Sequence, residues 1–175
     1  MSTAAGNLHW EPADRHTELL APPVAAAISR TPTARVASID ATLADTAAFC
    51  AAYGVALEHS ANCVVVAGKR GGEVRYAAVL VLATDRADIN GVVRRHLDVR
   101  KISFAAMADA VVLTEMEFGG ITPVGLPADW PVLVDRAVLA AGEVVIGSGI
   151  RGSKLLVHAD ELETLPSAEV LDLAQ

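Results

Sequence analysis

The most unusual stretch of the chain is Phe118-Gly119-Gly120-Ile121-Thr122-Pro123-Val124-Gly125-Leu126-Pro127, with three glycines and two prolines in ten residues. Such a segment cannot continue a helix. Paired glycines admit positive φ or a close approach of backbone to a ligand, Pro123 fixes φ, and Thr122 sets a hydroxyl beside exposed amides. The segment reads either as a rigid polar cradle able to hold an anion or carbonyl, or as a structural turn. A second glycine-rich stretch, residues 147–154, carries two cations, Arg151 and Lys154. It is either a hairpin turn or an anion contact. Neither stretch, nor residues 68–72, matches the P-loop or the dinucleotide fingerprint, so nucleotide hydrolysis and nicotinamide chemistry have no support.

Other chemistry finds no residue pattern. His9, His16, His59, His96 and His158 show no paired metal-ligand spacing, and no metal site is expected. Gly147-Ser148-Gly149 is one position too tight on each side for a nucleophile elbow. Cys50 and Cys63 lie in apolar contexts without CxxC spacing and read as reduced core thiols. Arg94, Arg95, His96, Arg100 and Lys101 put five chargeable cations into eight residues. That run is a solvated face or, by its local potential, a contact for a phosphodiester backbone.

These residues need a scaffold, and the periodicities sketch one. Residues 14–28 read as helical, broken into two by Pro22-Pro23. Residues 35–39 are a short strand, and residues 42–53 a helix stopped by Gly54. Residues 63–67 and 74–84 form a hairpin about the glycine-rich turn at 68–72. Residues 88–97 are helical with Asp88 as N-cap, and Ser103 caps a further helix through Val112. Residues 132–135, 143–146 and 154–157 are strands, and residues 160–165 start a closing helix. Strands and helices mix without strict alternation, which favours an α+β domain over a doubly wound sheet.

The composition agrees with one folded core. The chain has 175 residues, 53% hydrophobic and 20% charged, and its mean hydropathy is +0.40. That is enough apolar side chain to offset chain entropy, and one domain is expected. No apolar run approaches the roughly 20 residues that cross a bilayer, and the first residues resemble no secretory signal, so a cytoplasmic, non-membrane protein is expected. Fourteen Lys and Arg against 21 Asp and Glu give a net charge of −7. That balance argues against non-specific coating of nucleic acid and leaves room for a local basic patch.

Four segments in order resemble the YbaK family, the aminoacyl-tRNA deacylases related to the editing domain inserted in bacterial prolyl-tRNA synthetases. They are residues 60–66, residues 88–91 with 100–105, the loop 119–125, and residues 147–152 with 156–158. The resemblance covers roughly residues 35–165, and the Gly-Gly-Ile-Thr-Pro-Val-Gly loop is its most specific element. It implies a free-standing trans-editing domain, a hydrolase that removes a wrong amino acid from tRNA in the service of translation fidelity. The implied fold is a single α+β domain whose mixed, mostly antiparallel sheet is partly closed into a barrel and flanked by helices. Residues 35–175 would form the editing domain and residues 1–34 a helical extension packed on it.

The implied chemistry needs no metal or organic cofactor. An aminoacyl ester is already activated, so backbone donors and a positioned water suffice. The resemblance makes Asn62, Gly119 and Gly120 the catalytic residues, orienting the carbonyl, and Thr122, Pro123, Gly125, Gly149, Arg151 and His158 the substrate-binding ones. Aminoacyl-tRNA is the implied partner, met by Arg94, Arg95, Arg100 and Lys101. One position departs from the pattern: active members typically carry a lysine where this chain has Ala61. Lys69 or Arg70 would then have to replace it in space. The alternative is a weakened or inactive module that binds tRNA ends or a small amino-acid-like ligand.

Overall fold

The computed structural model describes residues 4–175. Two sheets carry the domain. The first has four antiparallel strands, in the order β1 (Glu11–Pro12), β2 (Arg35–Ser38), β8 (Ser153–His158) and β7 (Glu143–Gly147). The second has five, in the order β5 (Lys101–Phe104), β3 (Ala61–Arg70), β4 (Glu73–Leu82), β6 (Val132–Asp135) and β9 (Ala168–Leu171). In that sheet β5, β3 and β4 pair antiparallel, whereas β4–β6 and β6–β9 run parallel.

The expected partial barrel is not formed. Closure requires a continuous ladder between sheets, and here they are joined by a single parallel bridge, Ser60 to Val145. The strands β5 and β9 remain separate edges of the second sheet. That one bridge nevertheless matters. It brings the start of β3 level with the end of β7 and leaves an opening between the two sheets.

Local signals explain most elements. The helix α1 (Pro22–Ala27) has its prolines at the first two positions, so Pro22-Pro23 starts a helix instead of breaking one; residues 13–15 and 17–19 before it form only short 3-10 turns. The helix α2 (Thr46–Tyr53) ends at Gly54, which takes φ +69°. The β3–β4 hairpin turns on Gly71 and Gly72, with φ of +59° and +83°, and is therefore tighter, with longer strands, than the sequence suggests. Asp88 is the expected N-cap, accepting from the N–H groups of Gly91 and Val92, but the turn it opens (Ile89–Val93) is a wide π-helical one leading into α3 (Arg94–His96). Ser103 caps no helix. It lies in β5 opposite Ala67, and α4 (Met107–Thr114) begins later. The remaining helices, α5 (Arg136–Ala140) and α6 (Ala159–Glu163), follow β6 and β8.

The main core packs α1, β4, β6, β7, β8, α5 and α6 around Leu80, Ile146, Leu155 and Leu162. A second cluster, Phe49, Cys50, Val55, Val145 and Leu156, seats α2 on the other face of the four-stranded sheet. The segment before β2 is tied to the glycine-rich hairpin: Ser153 Oγ donates to Leu19 O at 2.5 Å and Ala21 N–H to Ser148 O at 3.2 Å. Among the described residues no helix is long and apolar enough to cross a membrane.

Candidate functional site

A cleft of about 800 Å³ opens where the start of β3, the end of β7, the N-terminus of α2 and the 118–121 loop meet. Its floor is small and apolar, with Ala61, Cys63, Val65, Ala110, Ile121 and Gly147, and Phe104 and Phe118 stand at its mouth, both exposed. Asn62, Thr46, Asp45, Gly119 and Lys154 supply its polar groups. Small residues at 44, 47, 61, 83 and 147 leave the hollow; larger ones there would fill it.

Asn62 and Gly119, both expected as catalytic, face the same cleft. Thr46 Oγ1 donates to Asn62 Oδ1 at 2.6 Å. With its oxygen engaged by Thr46, the Asn62 carboxamide has N–H donors for which the described residues supply no acceptor. Thr46 thus orients Asn62, a role that no feature of the sequence announces.

The two glycines have different tasks. Gly119, at φ +92°, lines the cleft and leaves its N–H without a protein acceptor among the described residues. Gly120 is buried behind it. Its N–H donates to Glu117 O at 2.9 Å and its carbonyl accepts from Gly149 N–H at 2.7 Å. A Cβ at Gly120 would stand 2.7 Å from the Ile150 backbone. Gly119 is therefore the free donor of the pair, and Gly120 the residue that lets two chain segments meet.

The expected substrate-binding residues divide in the same way. Arg151 lies at the rim, its guanidinium against Gly119 and its Nη1 donating to Phe118 O at 3.2 Å. Its N–H donates to Glu117 Oε1 at 2.7 Å, so Arg151 braces the loop from outside. Thr122 is fully buried and its hydroxyl has no partner among the described residues; neither it nor Pro123 lines the cleft. Gly125 and Gly149 pack instead beneath the N-terminal segment, where a Cβ would meet Pro23 O at 2.4 Å and Ala21 Cβ at 2.4 Å. His158 stands exposed at the far end of β8, opposite Glu143 and outside the cleft.

Nor do Lys69 and Arg70 replace a cation at Ala61. Both sit at the hairpin end of β3, roughly 26 Å along the strand from Ala61 at about 3.3 Å per residue, and Arg70 pairs with Asp98. Among the described residues, the only basic side chain lining the cleft is Lys154. It is buried, and its Nζ donates to Ala44 O at 3.1 Å and lies 5.2 Å from the centre of the Phe49 ring. Burial holds the ammonium below its ordinary range; negative charge at Cys50, when ionised, and at Asp45 pulls it back up, and Arg151 pushes it further down. Lys154 directly precedes the apolar run Leu155-Leu156-Val157 on a strand that is buried from Ser153 to Val157.

Cys63 lines the cleft, but burial pushes its thiol up to about 12. At neutral pH it is no nucleophile. Among the described residues no cluster of His, Cys, Asp and Glu could hold a metal ion. The site can thus orient a carbonyl by backbone and amide donors, with one buried ammonium nearby.

Residues 40–165 match the model of the aminoacyl-tRNA editing domain. No curated protein matches the sequence significantly. Solved structures share the fold: a protein described as a candidate trans-editing enzyme for prolyl tRNA synthetase aligns at TM-score 0.75 and 24% identity, covering 89% of this chain and 96% of that one. A protein described as hypothetical aligns at TM-score 0.74 and 24% identity, covering 85% and 95%. A candidate signal transduction protein from Marinobacter aquaeolei VT8 aligns at 0.57 and 19% identity, covering 87% of this chain but 30% of its own.

Proposed function

The chain belongs to the aminoacyl-tRNA editing domain family, and from that premise we propose that it is a free-standing deacylase that hydrolyses the ester of a mischarged aminoacyl-tRNA. The observation that carries this reading is the cleft itself. It brings Asn62 and the unengaged N–H of Gly119 to one hollow whose floor is apolar and whose walls contain no competent side-chain nucleophile.

The reaction follows from what an aminoacyl ester needs. Water attacks the ester carbon, and the carbonyl π pair moves onto oxygen, where Gly119 N–H and the Asn62 amide stabilise the developing charge. The tetrahedral intermediate then breaks its bond to the ribose oxygen. That oxygen takes up the proton given by water, releasing the amino acid and tRNA. Apolar walls from Cys63, Val65, Ala110 and Ile121 suit a small apolar aminoacyl side chain, which such a wall sorts by size. Phe104 and Phe118 at the mouth offer faces for the terminal base to stack on.

The nucleic-acid partner has a path to this mouth. The strand β5 runs from Lys101, paired with Lys69 of β3, to Phe104 at the cleft. Exposed Arg95, Arg100 and Lys101, with half-buried Arg94, extend the basic face beyond it. Phosphates held there direct the chain end along β5 into the hollow. Residues 35–175 form the editing module on this reading, and residues 1–34 a brace whose contacts with Gly125, Gly149, Ser148 and Ser153 hold the glycine loops. The work is cytoplasmic, where tRNA is charged.

Hydrolysis of a panel of mischarged tRNAs tests the proposal. Turnover of at least one, reduced by Asn62→Ala, supports it; no turnover with any member sinks it. The second reading, a binding module without catalysis, is favoured by one observation, the alanine at position 61 of the cleft. It predicts saturable binding of charged tRNA with no release of amino acid.

A further inference from the structure

The lysine that Ala61 replaces has a counterpart elsewhere in the cleft. Strand β7 lies between β3 and β8 in space: the Ser60–Val145 bridge sets Asn62 level with Gly147, and Gly147 is the direct cross-strand partner of Lys154. Opposite residues of an antiparallel pair project from the same face. Lys154 therefore leaves the sheet beside a residue with no side chain, and its other neighbour in register is Ala37. Its stem lies between two small residues. The 120–121 backbone is laid on that same face, since a Cβ at Gly147 would stand 2.5 Å from Gly120 O and 2.7 Å from Ile121 O.

Two further observations point at a ligand. Among the described residues Lys154 is the only cation lining the cleft, and it spends one N–H on Ala44 O with no second acceptor. An ammonium has three donors. A buried charge with donors to spare is expensive for a merely structural role, and the adjacent Phe49 ring offsets only part of that cost.

We propose that Lys154 supplies the positive charge of this site, reaching the cleft across Gly147 from β8 and donating to the ester carbonyl oxygen as it becomes an oxyanion. This rests on the deacylase reading and deepens it. The step balances as before: water adds to the carbonyl carbon, the electron pair moves to the oxygen held by Lys154, and the ribose oxygen leaves with the proton. Lys154 keeps its own protons throughout. The charge enters this hollow from β8, so the alanine at position 61 does not leave the site without a cation.

The test compares the wild type with Lys154→Met, Lys154→Arg and the double variant Lys154→Met/Ala61→Lys, with thermal unfolding recorded for each. On a mischarged tRNA that the wild type hydrolyses, Lys154→Met lowers kcat about 10²–10³-fold with KM within a few-fold, and the double variant regains at least about tenfold over Lys154→Met, since its cation enters from β3. A folded Lys154→Met with wild-type kcat overturns the proposal, as does a double variant no better than Lys154→Met. Should Lys154→Met fail to fold, Lys154→Arg carries the comparison with the wild type: an alkaline fall in rate moved upward by the guanidinium keeps the proposal, and an unmoved profile overturns it. Should the wild type hydrolyse nothing, the deacylase reading fails, and the charge site is read from binding of 3′-aminoacylamino-3′-deoxyadenosines, stable amides in place of the ester. Tenfold or greater weakening in Lys154→Met keeps the charge site; equal binding, or none by either protein, overturns it.

Discussion

Gly147→Ala probes how the cleft is built without touching any group that does chemistry. Gly147 lies in extended strand backbone, where alanine is unstrained, so the effect is purely steric. Its new methyl would meet Gly120 O at 2.5 Å, Ile121 O at 2.7 Å and Gly120 C at 2.9 Å, all backbone atoms. Ordinary contact begins near 3.4 Å, so the loop must retreat by about 0.9 Å. Overpacking of this kind costs about 1–3 kcal/mol, which for a domain of this size lowers Tm by roughly 2–12 °C. The retreat also carries Gly119 and its N–H away from Asn62, and a displacement near 1 Å costs about 10²-fold in rate. Differential scanning fluorimetry and single-turnover deacylation measure both effects. Gly152→Ala is the control: it sits in the same hairpin, with nothing nearer than Ile150 Cδ1 at 4.0 Å and no positive φ, so its stability stays equal or rises by about 0.4–1 kcal/mol. A Gly147→Ala protein with the Tm and rate of the Gly152→Ala control would refute the account of the loop.

Three other outcomes follow from single contacts. Thr46→Val removes the donor to Asn62 Oδ1 and costs about 0.5–1.5 kcal/mol of stability; kcat falls by about the same factor as in Asn62→Ala, and the double variant is no worse than Asn62→Ala alone, an additive result counting against the pairing. Cys63, with its thiol raised to about 12, and Cys50, also raised by burial, resist iodoacetamide at pH 7.5; intact-mass spectra showing rapid modification would contradict the raised thiols. Lys154 is held below its ordinary value near 10.5 by burial, with Cys50, Asp45 and Arg151 around it. Between its folded value and 10.5 the unfolded chain binds the extra proton, so in that window this group makes stability rise with pH while activity falls as the ammonium is lost. In Lys154→Arg the guanidinium stays charged, so the alkaline fall in rate should move upward; an unmoved limb would assign it to another group.

The strands were legible because apolar alternation and glycine turns are local signals. Residues 132–135, 143–147 and 153–158 form strands where β-branched runs predict them. Pro22-Pro23 misleads because a proline pair breaks a helix or begins one depending on what precedes it, and here only 3-10 turns precede it. Ser103 misleads because its cap signal competes with pairing of β5 to β3, a contact between residues more than 30 apart in sequence. The glycine loop and Asn62 were legible as motif residues. Thr46 was not, and Lys154 was legible only as one of two cations in a stretch that reads as a hairpin turn or an anion contact, since the cavity it lines depends on which side chains the sheets bring face to face.

The placement of glycines around the cleft also separates two properties that one motif carries. Gly120, Gly125, Gly147 and Gly149 each admit a neighbouring chain segment within a distance no Cβ allows, and each neighbour is protein: Ile150, Pro23, Gly120 and Ala21. Of the glycines around the cleft, Gly119 lines the hollow with an N–H that has no protein acceptor among the described residues. A segment rich in glycine therefore spends most of that freedom on assembling the wall and one residue on the ligand. The same reasoning applies to charge. A cation that assists at the carbonyl oxygen need not come from a particular position in the chain, and any strand bordering the hollow can deliver one if its neighbours are small enough to let the side chain pass. Gly147 and Ala37 meet that condition beside Lys154, so a bulky substitution at Ala37 would be felt at the cleft through the lysine stem even though Ala37 itself does not line it.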